Sequence, residues 1–179
     1  GPTAVGKTEL AIFLAKHFQT EIISADSRQF YKELNIGVAK PTAKQLGEVK
    51  HLFINSISIT DGYNIGKFEE ETLNFLKKIF SKKNIAVMVG GSGLYIKAVC
   101  EGIDKYPDID KNIREDLNEK YAENGIEYLQ NELKKLDEKY FEQVDKENPH
   151  RLIRALEVCI STGKPFSSFQ SSEKKKRNF

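Results

Sequence analysis

Apolar positions through residues 1–104 alternate between helical spacing and short unbroken runs. Leu10, Ala11, Phe13, Leu14 and Phe18 recur as one face of a helix does. Glu21-Ile22-Ile23-Ser24 then reads as a short strand, and Leu52–Ile57 as a second apolar run. Phe68, Thr72, Phe75, Leu76 and Ile79 mark an amphipathic helix. Ile85-Ala86-Val87-Met88-Val89 has no polar interruption, the pattern of a strand covered on both faces of a parallel sheet. Strands alternating with helices predict an α/β fold with a doubly wound sheet. Ligands of such sheets sit at the carboxyl ends of the strands. Gly6, Asp26 and Ser92 all fall there, so three distant loops are expected to converge on one crevice.

After Lys105 the pattern becomes wholly helical. A turn is expected at Pro107, Asp108 and Asp110. Ile113, Leu117 and Tyr121 form one stripe, and Ile126, Leu129, Leu133 and Leu136 another. Asn148 and Pro149 are start signals for a helix that buries Leu152, Ile153, Leu156 and Ile160 and stops at Gly163-Lys164-Pro165. The chain thus divides into an α/β core, 1–104, and a helical piece, 105–179. The basic tail from Ser171 to Phe179 is expected to be solvated.

Composition narrows this picture only a little. A length of 179 residues suits one core plus an appendage. The net charge of +2 neither demands nor excludes a nucleic-acid partner. No apolar run is long enough to cross a bilayer, and no signal peptide is visible. Cys100 and Cys159 stand apart, without metal-ligand spacing, and read as reduced core residues of a cytoplasmic protein.

The chemistry starts at the first residue. Gly1-Pro2-Thr3-Ala4-Val5-Gly6-Lys7-Thr8 matches the phosphate-binding loop G-x-x-x-x-G-K-[ST] at every fixed position. Its backbone N–H groups cradle phosphate oxygens, Lys7 brings a cation to the outer phosphate, and the Thr8 hydroxyl ligates Mg²⁺. The helix that follows adds the positive end of its dipole. The fold class is therefore a P-loop NTPase-like parallel sheet core with an all-helical insertion. No strand precedes the loop, so the chain is expected to be a fragment of a longer protein, inactive as it stands.

Two strand ends qualify the reading. Asp26 follows the first strand, either as a turn or cap aspartate or as a base or outer-sphere metal ligand facing the bound phosphates. Ile85–Val89 ends in Gly90-Gly91-Ser92-Gly93, with no carboxylate to organise Mg²⁺ and water as a phosphoryl-transfer enzyme requires. Ser92 reads equally as a helix cap or as a contact to a diphosphate oxygen. His150, Arg151 and Arg154 share one exposed helix face, which is either merely solvated or functional. Arg28, Lys40 and Arg114 read as surface, and His17 and His51 as structural.

The segments GPTAVGKT (1–8), ISADSRQFY (23–31), NIGVAKPT (35–42), YNIGKFEEE (63–71), VGGSGLY (89–95) and NPHRLIRALEV (148–158) together resemble the tRNA dimethylallyltransferases. The resemblance implies transfer of a dimethylallyl group from dimethylallyl diphosphate to N6 of the adenosine beside the anticodon. The runner-up is a nucleotide or small-molecule kinase. By that resemblance Gly1–Thr8 hold the diphosphate, Asp26 is the general base, and Lys7 and Ser92 assist at the leaving group. Ser92 stands where the family usually has Thr. The tRNA anticodon stem-loop is implied to meet Asp26, Ser27, Arg28, Gln29, Ser92 and Arg114, together with His150, Arg151, Leu152, Ile153 and Arg154. Mg²⁺ on Thr8 is the implied cofactor. A monomer with no membrane association is expected. Diphosphate-clamping residues that the family carries in its C-terminal half have no counterpart in this chain.

Overall fold

The computed structural model describes residues 5–104, 106–107, 109–171 and 174–179. They form two compact units: Gly1–Ile103 with Lys175–Phe179, and Asp104–Lys174. The second is thus inserted into the first, because the chain returns to the α/β unit for its last five residues.

The α/β unit carries α1 (Lys7–His17), β1 (Ile22–Ser24), α2 (Ala43–Glu48), β2 (His51–Leu52), α3 (Ile65–Phe80), β3 (Val87–Val89) and α4 (Gly93–Glu101). Its sheet is parallel, in the order β2-β1-β3. Ile22 faces His51 and Val87 across the ladder, and Ile23 faces Leu52 and Met88. Successive side chains of a strand point to opposite faces. Accordingly Ile22 packs under α1 with Ala11, Ile12 and Ala15, whereas Ile23 joins Phe68, Leu76 and Val99 of α3 and α4. Helices on both faces make the sheet doubly wound.

The second core is built around Phe30. Its ring lies 5.3 Å from Phe68, 5.5 Å from Tyr95, 5.8 Å from Tyr63 and 5.9 Å from Phe53. Such aromatic packing contributes beyond the area it buries. It fixes the exit of β1, where the candidate base lies.

Four expectations change here. Of the α1 stripe only Ala11 is buried. Ile12 and Ala15 complete the covered face, and Leu10 and Phe13 are 59% and 65% exposed. The small Ala11 and Ala15 let the helix sit close on the sheet. The Leu52–Ile57 run leaves β1 after Leu52, because Phe53 and Asn55 adopt φ of 64° and 50° and turn the chain away; Ile57 pairs again only in an isolated parallel bridge with Tyr31. β3 is half-buried rather than covered, since β1 is its only partner among the described strands. The tail is exposed as expected at Ser171, Lys174–Lys176, Asn178 and Phe179, but it is also docked, with Arg177 partly buried; Ser172 and Glu173 lie outside the described residues. Lys175 N donates to Glu101 O at 2.9 Å, Arg177 Nη2 bonds Glu69 at 2.5 Å and Ala98 O at 2.9 Å, and Phe179 packs on Phe80. Burial of Glu69 supplies the reason: its carboxylate requires a cation partner.

The helical unit contains α5 (Lys111–Leu136), α6 (Glu138–Phe141), α7 (Pro149–Thr162) and a 3₁₀ turn (Phe166–Phe169). Asp108, in the expected turn before α5, lies outside the described residues, while Asp110 caps α5 by accepting from Asn112 N. Gly125, at φ 74° and ψ −173°, breaks α5 between the two predicted stripes. Leu117, Leu129 and Leu133 pack against Leu152, Ile153 and Leu156 of α7. Asn148 caps α7 by accepting from Arg151 N at 3.2 Å, and Gly163 ends it in the left-handed conformation at φ 66°. Leu136 and Ile160 lie outside the core, 41% and 48% exposed. Cys159 is buried and its Sγ accepts from Phe166 N, but Cys100 is exposed, contrary to its reading as a core thiol.

Candidate active site

α1 begins at Gly6, whose φ of 77° places it in the left-handed region where glycine costs least. That turn brings Lys7 and Thr8 to a cleft of about 410 Å³. Gly1, Pro2, Thr3 and Ala4, the first half of the expected phosphate loop, lie outside the described residues. Val5 is 59% exposed and does not line the cleft. The opposite walls come from Ser24 and Asp26 at the end of β1 and from Val89 and Gly90 at the end of β3. The predicted convergence at the carboxyl ends of the strands is therefore present for Gly6, Lys7, Thr8 and Asp26.

Asp26 is a turn residue that also borders the cleft. It lines the cleft, and its Oδ1 accepts from Arg28 N at 3.2 Å, closing an Asx turn. The glycine turn is shaped around it. A Cβ on Gly90 would lie 2.1 Å from Ala25 O, so only glycine lets β3 approach β1 there. A Cβ on Gly91 would lie 3.4 Å from Asp26 Oδ2. Ser92 stands behind this turn and does not line the cleft. Its Oγ accepts from Ser27 N at 3.0 Å and lies 3.2 Å from Ser27 Oγ, and its N–H donates to Ala25 O. It makes no side-chain cap to α4.

Gln29, implied as an RNA contact, has its amide engaged within the protein. Oε1 accepts from Ser24 Oγ at 3.1 Å, and Nε2 donates to Val38 O at 3.2 Å and Ala39 O at 3.0 Å. Lys40, read as surface, ties Tyr31 O, Asn35 and Asn55 together through Nζ. Sequence reasoning missed Ala39, Pro41 and Gln45 as cleft walls, and His51, read as structural, also lines it. Ala39 and Pro41 belong to the NIGVAKPT segment at 35–42, which was their signal; Gln45 and His51 lie beyond it and carried none. Arg28 is exposed and does not line the cleft.

No group of three or more His, Cys, Asp or Glu able to hold a metal occurs among the described residues. Thr8, which lines the cleft, carries a hydroxyl oxygen of the kind that suits Mg²⁺, an ion that takes one or two ligands from protein and the rest from phosphate and water.

In the helical unit, His150 and Arg151 are exposed on the first turn of α7. Leu152 and Ile153, implied as RNA contacts, are 0% and 5% exposed and form core against α5, so their side chains do not face RNA. The inward reading of the same two residues is the one realised. Arg114 grips the buried Glu157 through Nε and through Nη2 at 3.0 Å, and Arg154 Nη1 reaches the same carboxylate at 3.3 Å. Arg154 also lies over the Tyr106 ring, 5.3 Å from its centre. Burial pushes the Tyr106 hydroxyl up to about 12.

Residues 29–179 match the family model described as IPP transferase. The chain belongs to the IPP transferase family. Over its whole length it is 56% identical to a tRNA dimethylallyltransferase of Christiangramia forsetii and 46% identical to tRNA dimethylallyltransferase 1 of Bacteroides fragilis. It spans 59% and 60% of those two relatives. Among solved structures it resembles the full-length tRNA isopentenylpyrophosphate transferase of Bacillus halodurans, with 34% identity and a TM-score of 0.56 over 92% of this chain and 55% of that one. It also resembles a eukaryotic dimethylallyltransferase acting on tRNA, with 26% identity and a TM-score of 0.79 over 98% of this chain and 44% of that one. No described helix is long and apolar enough to cross a membrane.

Proposed function

We propose that this chain belongs to an enzyme that transfers a dimethylallyl group from dimethylallyl diphosphate to N6 of the adenosine 3′-adjacent to the anticodon of tRNA. The observation that carries the reading is the cleft shared by Lys7, Thr8 and Asp26 in a chain of this family. Its relatives are named for the dimethylallyl group and for the tRNA that receives it.

The roles follow from where charge moves. The lone pair of N6 is delocalised into the ring, so it attacks well only as it loses a proton. Asp26 takes that proton as the N6–C1 bond forms. The C1–O bond breaks with its electron pair, and diphosphate departs. Lys7 and the amino end of α1 stabilise the charge that gathers on it. Thr8 would hold Mg²⁺, which neutralises further charge on the diphosphate when bound. Ser92 acts one step back, by holding Ser27 and with it the turn that presents Asp26. The adenine must leave its stack to reach this cleft. Arg151 and Arg154, with His150, position the anticodon stem-loop, chiefly through phosphates. The reaction is cytoplasmic, where unmodified tRNA is met.

The test is to incubate the complete protein with radiolabelled dimethylallyl diphosphate and unmodified tRNA. Label moving to RNA, with ATP not turned over, supports the transferase. Phosphoryl transfer from ATP to an acceptor overturns it in favour of a kinase.

A further inference from the structure

Glu157 is 2% exposed, yet two guanidinium groups converge on it from α5 and α7. A buried carboxylate needs a cation, because leaving it unpaired costs several kcal/mol. Arg114 alone meets that need with a two-pronged grip. Arg154 is therefore surplus to Glu157, and the cluster carries one net positive charge.

That surplus is turned outward. The side chains of Arg114 and Arg154 remain 56% and 42% exposed. Arg114 retains Nη1 and Arg154 retains Nε and Nη2 without a partner among the described residues. Tyr106 fixes the plane of the second guanidinium. His150 lies one turn before Arg154, and Arg151 is exposed on the same helix. Like charges held side by side, with donors directed to solvent, suit a group with several anionic oxygens.

We propose that Glu157 is a positioning residue which seats Arg114 and Arg154 together as a paired grip on the RNA phosphate backbone. The inference rests on the tRNA reading and extends it to a residue that meets no RNA itself.

The sign of one substitution separates positioning from simple charge. Glu157→Gln removes a buried negative charge from beneath the two arginines. If charge alone mattered, binding would tighten. If Glu157 positions the two arginines, binding weakens despite the added positive charge. The complete protein is titrated with a fluorescent, unmodified anticodon stem-loop RNA between about 50 and 200 mM salt. Glu157→Gln is expected to bind about tenfold more weakly, with a salt slope smaller by about one for the lost phosphate contact. The KM for tRNA should rise while that for the isoprenoid diphosphate stays unchanged. Equal or tighter RNA binding by Glu157→Gln overturns the proposal. If that variant does not fold, Arg114→Lys keeps the charge but not the two-pronged grip, and it must show the same loss. Native affinity in Arg114→Lys also overturns the proposal. A native protein that ignores the hairpin brings down the tRNA reading itself, whereas native binding with indifferent variants brings down only this inference.

Discussion

Ser92 holds Ser27 across the two strand ends that flank the cleft. Its Oγ takes the Ser27 N–H at 3.0 Å and stands 3.2 Å from the Ser27 hydroxyl. Ser92 N binds Ala25 O, so the residues on either side of Asp26 are both fixed from the glycine turn. A hydroxyl at the head of α4 thereby sets the position of a carboxylate 66 residues earlier in the chain (92 − 26).

Ser92→Ala is expected to lower turnover by about ten- to a hundredfold, the scale of a displacement near 1 Å in a catalytic group. Ser92→Thr keeps the hydroxyl and should retain most of the rate. Single-turnover kinetics of prenyl transfer compare the two. Native turnover in Ser92→Ala would show that Asp26 does not depend on this contact.

Asp26→Asn keeps an acceptor for Arg28 N and so preserves the turn, but it cannot accept the N6 proton. Turnover should fall by two or more orders of magnitude, with RNA affinity nearly intact. A variant that turns over at the native rate removes Asp26 from the proton transfer. A large loss of RNA binding would assign it to recognition instead.

Gln29→Glu sets an acidic acceptor against Val38 O and Ala39 O, where the native amide donates to both. Losing those donors and facing two carbonyls should destabilise the α/β unit by about 1–3 kcal/mol. Denaturant unfolding measures the change. No change in midpoint would mean that the tie between β1 and residues 38–39 does not support the cleft wall.

These residues show where the sequence was informative and where it was not. Gly6, Lys7 and Thr8 were legible because the phosphate loop is local: eight consecutive residues specify both its geometry and its chemistry. The end of β1 was legible because an apolar strand followed at once by Asp26 has few structural outcomes. Asn148, Pro149 and Gly163 were legible as helix ends for the same reason. The contacts that organise the site are not local. Ser92 acts on Ser27, Lys40 on Asn55, and Arg114 on Glu157 over 43 positions. A single chain read in order carries no signal for such pairs. The α1 stripe misled because Leu10 and Phe13 are as apolar as Ile12, and only the sheet decides which side of the helix is covered. The docking of the tail was missed because Arg177 reads as one more solvated basic residue until a buried Glu69 is placed beneath it.

The helical unit depends on a polar residue that its apolar stripes did not announce. Asp137, at 4% exposure, begins α6 by accepting from Tyr140 N at 3.0 Å. The same carboxylate accepts from Ser167 N at 2.6 Å and from Ser167 Oγ at 2.9 Å, which joins α6 to the 3₁₀ turn that carries Phe166 into the core. Asp137→Ala leaves two backbone N–H groups without an acceptor and removes the cap. The cap alone is worth about 1 kcal/mol, and an unsatisfied buried donor costs about 1–3 kcal/mol more. A total loss of about 2–4 kcal/mol is therefore expected in denaturant unfolding followed by circular dichroism. Ser167→Ala removes only the hydroxyl contact and should cost about 1 kcal/mol. Equal losses in the two variants would mean that the backbone bonds at Tyr140 and Ser167 contribute nothing. In that case the packing of Phe166 between Tyr106 and Tyr140, not Asp137, would be what holds the turn in place.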